Sequence, residues 1–247
     1  MGQKMKSVSL VSIMMLSVLS TLLMATVTVS ANTVVVTEAI QVVDGGTATD
    51  QQAAVSSDSE GNVHVVWTRN NLHLYYSMIS PRGDTLIDTT QITNPGLHKI
   101  WHPDMVVDEM DRVHVVWTDK ASQHKIVYTV LNPWATPMDG SASDDGTISA
   151  IDDHVVSMRA QNRDWPAIDL DSQGNAHIVW EDSYDELQRF FNQPQIYYTM
   201  LQPDISTGAV VTLFDDTLLT PIIGHKGHPD VVVDANDYVQ IAWDDTR

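Results

Sequence analysis

The sequence contains no cysteine. Disulfides are therefore excluded, and stability must come from packing. Basic residues are also scarce: 13 Lys and Arg stand against 32 Asp and Glu, for a formal net charge of −19. So acidic a surface repels nucleic acid and anionic lipid at long range, so no nucleic-acid partner is expected. It suits a salty medium, divalent cations or cationic partners. Nucleophile elbows, zinc-ligand helix motifs and phosphate loops are absent as well.

Long apolar runs are lacking except at the start of the chain. Lys4 and Lys6 precede an apolar stretch from about Val8 to Val27, and Val29-Ser30-Ala31 fits a small-residue cleavage site. Residues 1–31 are read as an export signal, with an uncleaved membrane anchor as the alternative because the run is long enough to span a bilayer. Cleavage removes two lysines and no acid, which makes the remainder still more acidic. The expectation is a secreted or cell-surface protein, monomeric, with no membrane contact after cleavage.

What the sequence does have is an internal repeat. Four fifteen-residue segments align without gaps: Ala53 to Trp67, Pro103 to Trp117, Pro166 to Trp180 and Pro229 to Trp243. Each carries Asp at its sixth position (Asp58, Asp108, Asp171, Asp234), and three carry His three residues before the Trp (His64, His114, His177), where the fourth has Gln240. In one copy, Pro166 to Asp171 alternates as a strand, Asp171-Ser-Gln-Gly174 has turn chemistry, and Asn175 to Trp180 is a second strand. Third strands follow at Leu74 to Met78, Ile126 to Val130 and Ile196 to Met200. Fourth strands follow at Asp84 to Thr93, Thr147 to Ser157 and Gly208 to Thr220.

Four antiparallel strands per repeat, at Trp-to-Trp periods of 50, 63 and 63 residues, match β-propeller blades. A parallel solenoid needs shorter repeats, and an immunoglobulin-like sandwich does not repeat its sequence. The predicted fold is an all-β propeller over residues 32–247, with blades at about 52–93, 103–157 and 166–220 and a partial fourth at 229–247. A lone strand at Val34 to Val43 resembles the fourth-strand pattern and is expected to close the ring. The ring is expected to be incomplete, with further blades in a longer chain.

The pattern Pro-x-x-x-x-Asp-x-x-Gly-x-x-His-x-x-Trp-x-Asp followed by Ile-Tyr-Tyr, whole from Pro166 to Tyr198, resembles the sialidase-like or BNR-type propeller repeats of exported microbial proteins. The likeness covers nearly all the chain after residue 50. It departs from true sialidases in lacking the Ser-x-Asp-x-Gly-x-Thr-Trp box. What the resemblance implies is a ring that binds, and in some members cleaves, glycans.

Function is expected on the propeller face where the loops from strand two to three, and from strand four to the next strand one, converge. The candidate ligand-binding residues are Arg69, Asp119, Asp182 and Asp245 from the first loop type and His102, Trp165 and His228 from the second. The last three each precede a proline at the start of an innermost strand, which puts them at the channel mouth. The mixture of aromatic, cationic and acidic groups is what sugar recognition uses. An enlarged loop, Glu181 to Pro194, adds carboxylates. The recurring Trp residues are expected to be core, and the recurring His residues to bond nearby backbone rather than a metal. Asp169 to Gly174 resembles the opening of a calcium loop. It lacks an oxygen ligand at the fifth position and has Trp180 where the closing Glu belongs, so no cofactor is expected. Three functions remain: a non-catalytic binder of extracellular glycans, a sialidase-like glycoside hydrolase, and a protein-interaction scaffold.

Overall fold

A computed structural model of the chain describes residues 28–29, 32–33, 39–43, 46–94, 98–121, 124–134, 149–157, 163–183, 194–220 and 224–246. All regular structure among them is β-strand. Strands β1 (Thr28–Val29) and β2 (Asn32–Thr33) form a two-residue pair. The first blade is β3 (Asp50–Ser57), β4 (Val63–Arg69), β5 (His73–Ile79) and β6 (Thr85–Gln91), hydrogen-bonded in that order. The second is β7 (Ile100–Val107), β8 (Val113–Asp119), β9 (Lys125–Leu131) and β10 (Ser149–Val155), and the third is β11 (Arg163–Leu170), β12 (Ala176–Asp182), β13 (Gln195–Asp204) and β14 (Ala209–Leu218). The fourth comprises the hairpin β15 (His225–Val233) and β16 (Val239–Thr246). Every pairing is antiparallel, and successive blades touch through their first strands, β3 on β7, β7 on β11 and β11 on β15. The chain is an all-β propeller with its first strands innermost.

The second strands explain why the blades stack. Val113 to Trp117 and Ala176 to Trp180 are buried on both faces because each sits between two neighbouring blades, and Val63 to Trp67 because it sits between the second blade and Val42 and Val43. One core joins Val66, Tyr76 and Met78 of the first blade to Val113, Val115 and Trp117 of the second. The next joins Val116, Tyr128 and Val130 to Ile178, Trp180 and Tyr197 of the third. A smaller one joins Ala167, Val179 and Ile196 to Val231 of the fourth. Trp67, Trp117 and Trp180 are fully buried, each opposite a residue of the following strand, namely Tyr75, Val127 and Tyr197. Trp243 departs from the expectation that all four are core. It is 40% exposed, because no third strand lies beside β16 among the described residues.

At the tight-turn end, Asp58, Asp108, Asp171 and Asp234 each accept backbone N–H groups from two and four residues ahead, at 2.7 to 3.0 Å. These are side-chain turns that satisfy the hairpin backbone locally. The repeated His residues bond side chains, not the expected backbone. His64, His114 and His177 each set Nδ1 2.7 to 2.8 Å from a third-strand hydroxyl, of Tyr76, Tyr128 and Tyr198. Each sets Nε2 3.2 to 3.4 Å from the turn carboxylate, of Asp58, Asp108 and Asp171. A Tyr–His–Asp chain thus runs through the interior of three blades. Burial pushes the His64 and His114 pKa values down, which favours neutral rings; His114 Nε2 bonds Asp108, whereas His64 Nε2 lies near Asp58 without forming a hydrogen bond.

The expected closing strand at 34–43 lies partly outside the described residues. Residues 39–43 form no ladder, and Val42 and Val43 pack against Val63, Val65 and Trp67 of the first blade. The export-signal expectation falls almost wholly on residues outside those described. No helix among the described residues is long and apolar enough to cross a membrane.

Candidate functional site

The ladders of the first hairpins begin ahead of the aligned prolines. Ile100, Arg163 and His225 already pair with Asp119, Asp182 and Thr246. Each ladder is then broken by a bulge, between Gln51 and Ala54, Trp101 and Asp104, Asp164 and Ala167, and Gly227 and Asp230. At every bulge one non-glycine residue takes the left-handed conformation: Gln52 (φ 52°), His102 (49°), Trp165 (51°) and His228 (47°). Such backbone costs about 1–2 kcal/mol for an L-residue with a side chain. Four copies of one strained bulge on the innermost strands re-aim four side chains.

The result is an aromatic cluster built by three blades. The His102 ring stacks on Trp165 with centroids 3.6 Å apart and planes 15° from parallel, and the His228 ring meets Trp165 edge-on at 4.5 Å and 86°. Trp165 is 38% exposed. At three of the four bulges the N–H is taken by a nearby side chain: His102 N donates to Gln52 Oε1 at 2.8 Å, Trp165 N to Asp164 Oδ1 at 3.1 Å, and His228 N to Glu181 Oε2 at 3.2 Å. The candidates His102, Trp165 and His228 therefore meet. Gln52 was absent from the sequence-derived set, because Ala53 stands where the other copies have proline. Its alignment with His102, Trp165 and His228 was the available signal.

Two carboxyl groups border this cluster, with pKa values shifted in opposite directions. Asp164 accepts from His102 Nδ1 at 2.6 Å and from Lys120 Nζ, which lies 4.9 Å from the Trp101 ring centroid. Burial alone would raise the Asp164 pKa, but these partners outweigh it and hold the group below the usual carboxylate range. Glu181 is raised, first by burial and also by the charge of Asp164, against the His228 N–H. Gly227 makes room for it, since a Cβ there would lie 2.7 Å from Glu181 Oε2. Deeper on the innermost strands, burial pushes Asp104 up to about 6, with Asp230 and Asp169 adding to the rise against the N–H groups of Ile168 and Met105.

The other candidates occupy a different setting. Arg69 forms a two-pronged pair with Asp50 at 2.7 and 3.0 Å and lies over the Tyr75 ring at 4.5 Å. Asp182 is buried against Arg163 at 3.3 Å, and Asp245 meets Lys226 at 2.8 Å. All three are cross-strand pairs at one register, with the charge order reversed in the first blade. Asp119 accepts from Lys99 N and Ala121 N and meets His98 at 2.9 Å. The structure does not bring these four into the aromatic cluster; their observed partners tie strand ends and loops together. Of the enlarged loop, residues 184–193 lie outside those described. No group of three or more His, Asp or Glu suited to a metal ion occurs among the described residues.

No protein-family model and no curated protein matches the chain. Among solved structures, it is similar to a family 117 glycoside hydrolase of the marine bacterium Zobellia galactanivorans, at a TM-score of 0.51 and 8% identity over 83% of this chain and 70% of that one. It is also similar to a thermostable family-43 glycoside hydrolase (TM-score 0.49, 14% identity, 77% of this chain) and to an endo-arabinase of Bacteroides thetaiotaomicron (TM-score 0.47, 13% identity, 76% of this chain and 68% of that one). The chain spans 62% of the length of the family-43 enzyme. At such identities the likeness establishes the fold, and the chain is a β-propeller.

Proposed function

We propose that this is an exported propeller that binds a saccharide at the mouth of its central channel, with the exposed surface of the His102–Trp165–His228 cluster as its apolar contact. The observation that carries the reading is the convergence of His102, Trp165 and His228 from three blades through the same strained bulge. A partly exposed tryptophan held in left-handed backbone carries strain that a ligand contact would give a reason to keep. Aromatic faces cover the apolar side of a sugar ring, and the flanking Asp164, Lys120 and Asp244 offer hydroxyl partners. The structural neighbour with a TM-score of 0.51 is a glycoside hydrolase, which agrees with this reading.

The test is a glycan array probed with the full chain and with Trp165→Ala. Wild type is expected to bind a defined set of neutral oligosaccharides, and the variant to lose at least about tenfold in affinity, in line with the 0.5–1.5 kcal/mol of an aromatic contact plus its buried area. Retention of no glycan by the wild type, or equal binding by both proteins, overturns the proposal.

A further inference from the structure

We propose that Glu181 and Asp164 form a catalytic carboxyl pair that hydrolyses a glycosidic bond of a neutral sugar held on Trp165. This inference rests on the saccharide-binding reading above. The two residues are direct partners across the β11–β12 ladder. Such partners have Cβ atoms about 4.5–5.5 Å apart. Asp164 immediately precedes Trp165 in the chain, and Glu181 accepts from the backbone N–H of His228, whose ring meets Trp165 edge-on. Both carboxyls thus border the surface on which a sugar ring would lie.

Their environments differ in the way acid–base chemistry requires. Asp164 is tied to His102 and Lys120, which stabilise its ionised form. Glu181 is half-buried, and no lysine or arginine pairs with it among the described residues. Its pKa is raised by burial and by the neighbouring Asp164 charge. One carboxyl kept ionised beside one biased toward its protonated form is the arrangement that separates nucleophile from acid.

The reaction balances with water as the only co-reactant. Glu181 passes its proton to the glycosidic oxygen as the bond from that oxygen to the anomeric carbon breaks. The Asp164 carboxylate attacks the same carbon and forms a glycosyl ester. Water then displaces Asp164, giving its proton to the Glu181 carboxylate and its oxygen to the sugar. Glycosidases that form such an ester space their carboxyls by about 5–5.5 Å, compatible with directly opposed residues. A neutral substrate follows from charge: Asp164 already engages Lys120, and Glu181 and Asp244 face the same region, so an anionic sugar would be repelled.

The experiment measures binding and cleavage on the same panel. Full-length wild type, Glu181→Gln and Trp165→Ala are incubated with neutral oligosaccharides and with 2,4-dinitrophenyl glycosides; binding is followed by calorimetry and cleavage by new reducing ends or released dinitrophenol. Wild type is expected to cleave what it binds. Glu181→Gln is expected to keep its affinity and lose about 100- to 10,000-fold in oligosaccharide turnover. It should lose far less on dinitrophenyl glycosides, whose leaving group needs no proton. A merely structural Glu181 would lower both rates alike, and that equal loss overturns the inference. Wild type that binds saccharides without cleaving them also overturns it and leaves the binding proposal standing. Wild type that binds no saccharide brings down both.

Discussion

The two ends of the blades use the same unusual backbone in opposite ways. At the tight turns, the left-handed position is filled by Gly61, Asp111, Gly174 and Asp237, at φ between 60° and 82°. Glycine has no Cβ to clash, and aspartate tolerates the conformation. Asp111 and Asp237 also accept from Ser59 and Ser172 of the preceding blade at 2.7 to 2.9 Å, so the turns help lock blades together. At the bulges of the innermost strands, the left-handed positions hold Gln52, His102, Trp165 and His228, of which Trp165 is the bulkiest and least suited to it. The turn end is chemically uniform and relaxed, while the mouth repeats a geometry and varies the side chain.

Three changes sharpen that contrast, taken from the largest effect to the smallest. Trp117 is buried between the first and second blades. Trp117→Ala should cost about 3–5 kcal/mol in denaturant unfolding, the range for emptying a large aromatic site.

Asp104 comes second. Its carboxyl is raised to about 6 by burial, so the folded state holds this proton more tightly than the unfolded chain does. Its contribution is therefore most favourable at acid pH and is lost as pH rises from about 4 to about 6. Asp104→Asn keeps an oxygen to accept from Ile168 N, now 3.0 Å away, and removes the charge. The variant should be more stable than wild type by about 2 kcal/mol at pH 8, with the difference vanishing near pH 4 in unfolding curves.

Much of this was legible in the sequence, because the in-register Asp and Trp residues report local hairpins. The turn aspartates bond within four residues of themselves, so Asp58, Asp108, Asp171 and Asp234 could be assigned from spacing alone. The residues before Pro103, Pro166 and Pro229 were likewise grouped from the sequence, and the structure brings their rings into contact. What spacing does not carry is pairing between strands. The partner of each repeated His is a tyrosine twelve to twenty-one residues away, and the intervening turn differs in each blade. The pairing of Asp50 with Arg69, in reverse order to Arg163 with Asp182, depends on ladder register. Trp243 carries the same local signal as its three buried counterparts. Its exposure depends on which strand lies beside it.

The third change bears most directly on the claim that the mouth residues serve a ligand and not the fold. Trp165→Gly removes about 1–2 kcal/mol of left-handed strain and loses the ring contacts with His102 and His228 together with the buried part of the indole surface. The relieved strain offsets part of that loss. Denaturant unfolding of Trp165→Gly should show a net cost of about 1–2 kcal/mol, well below that of Trp117→Ala. A loss approaching that of Trp117→Ala would show Trp165 to be core and contradict the account.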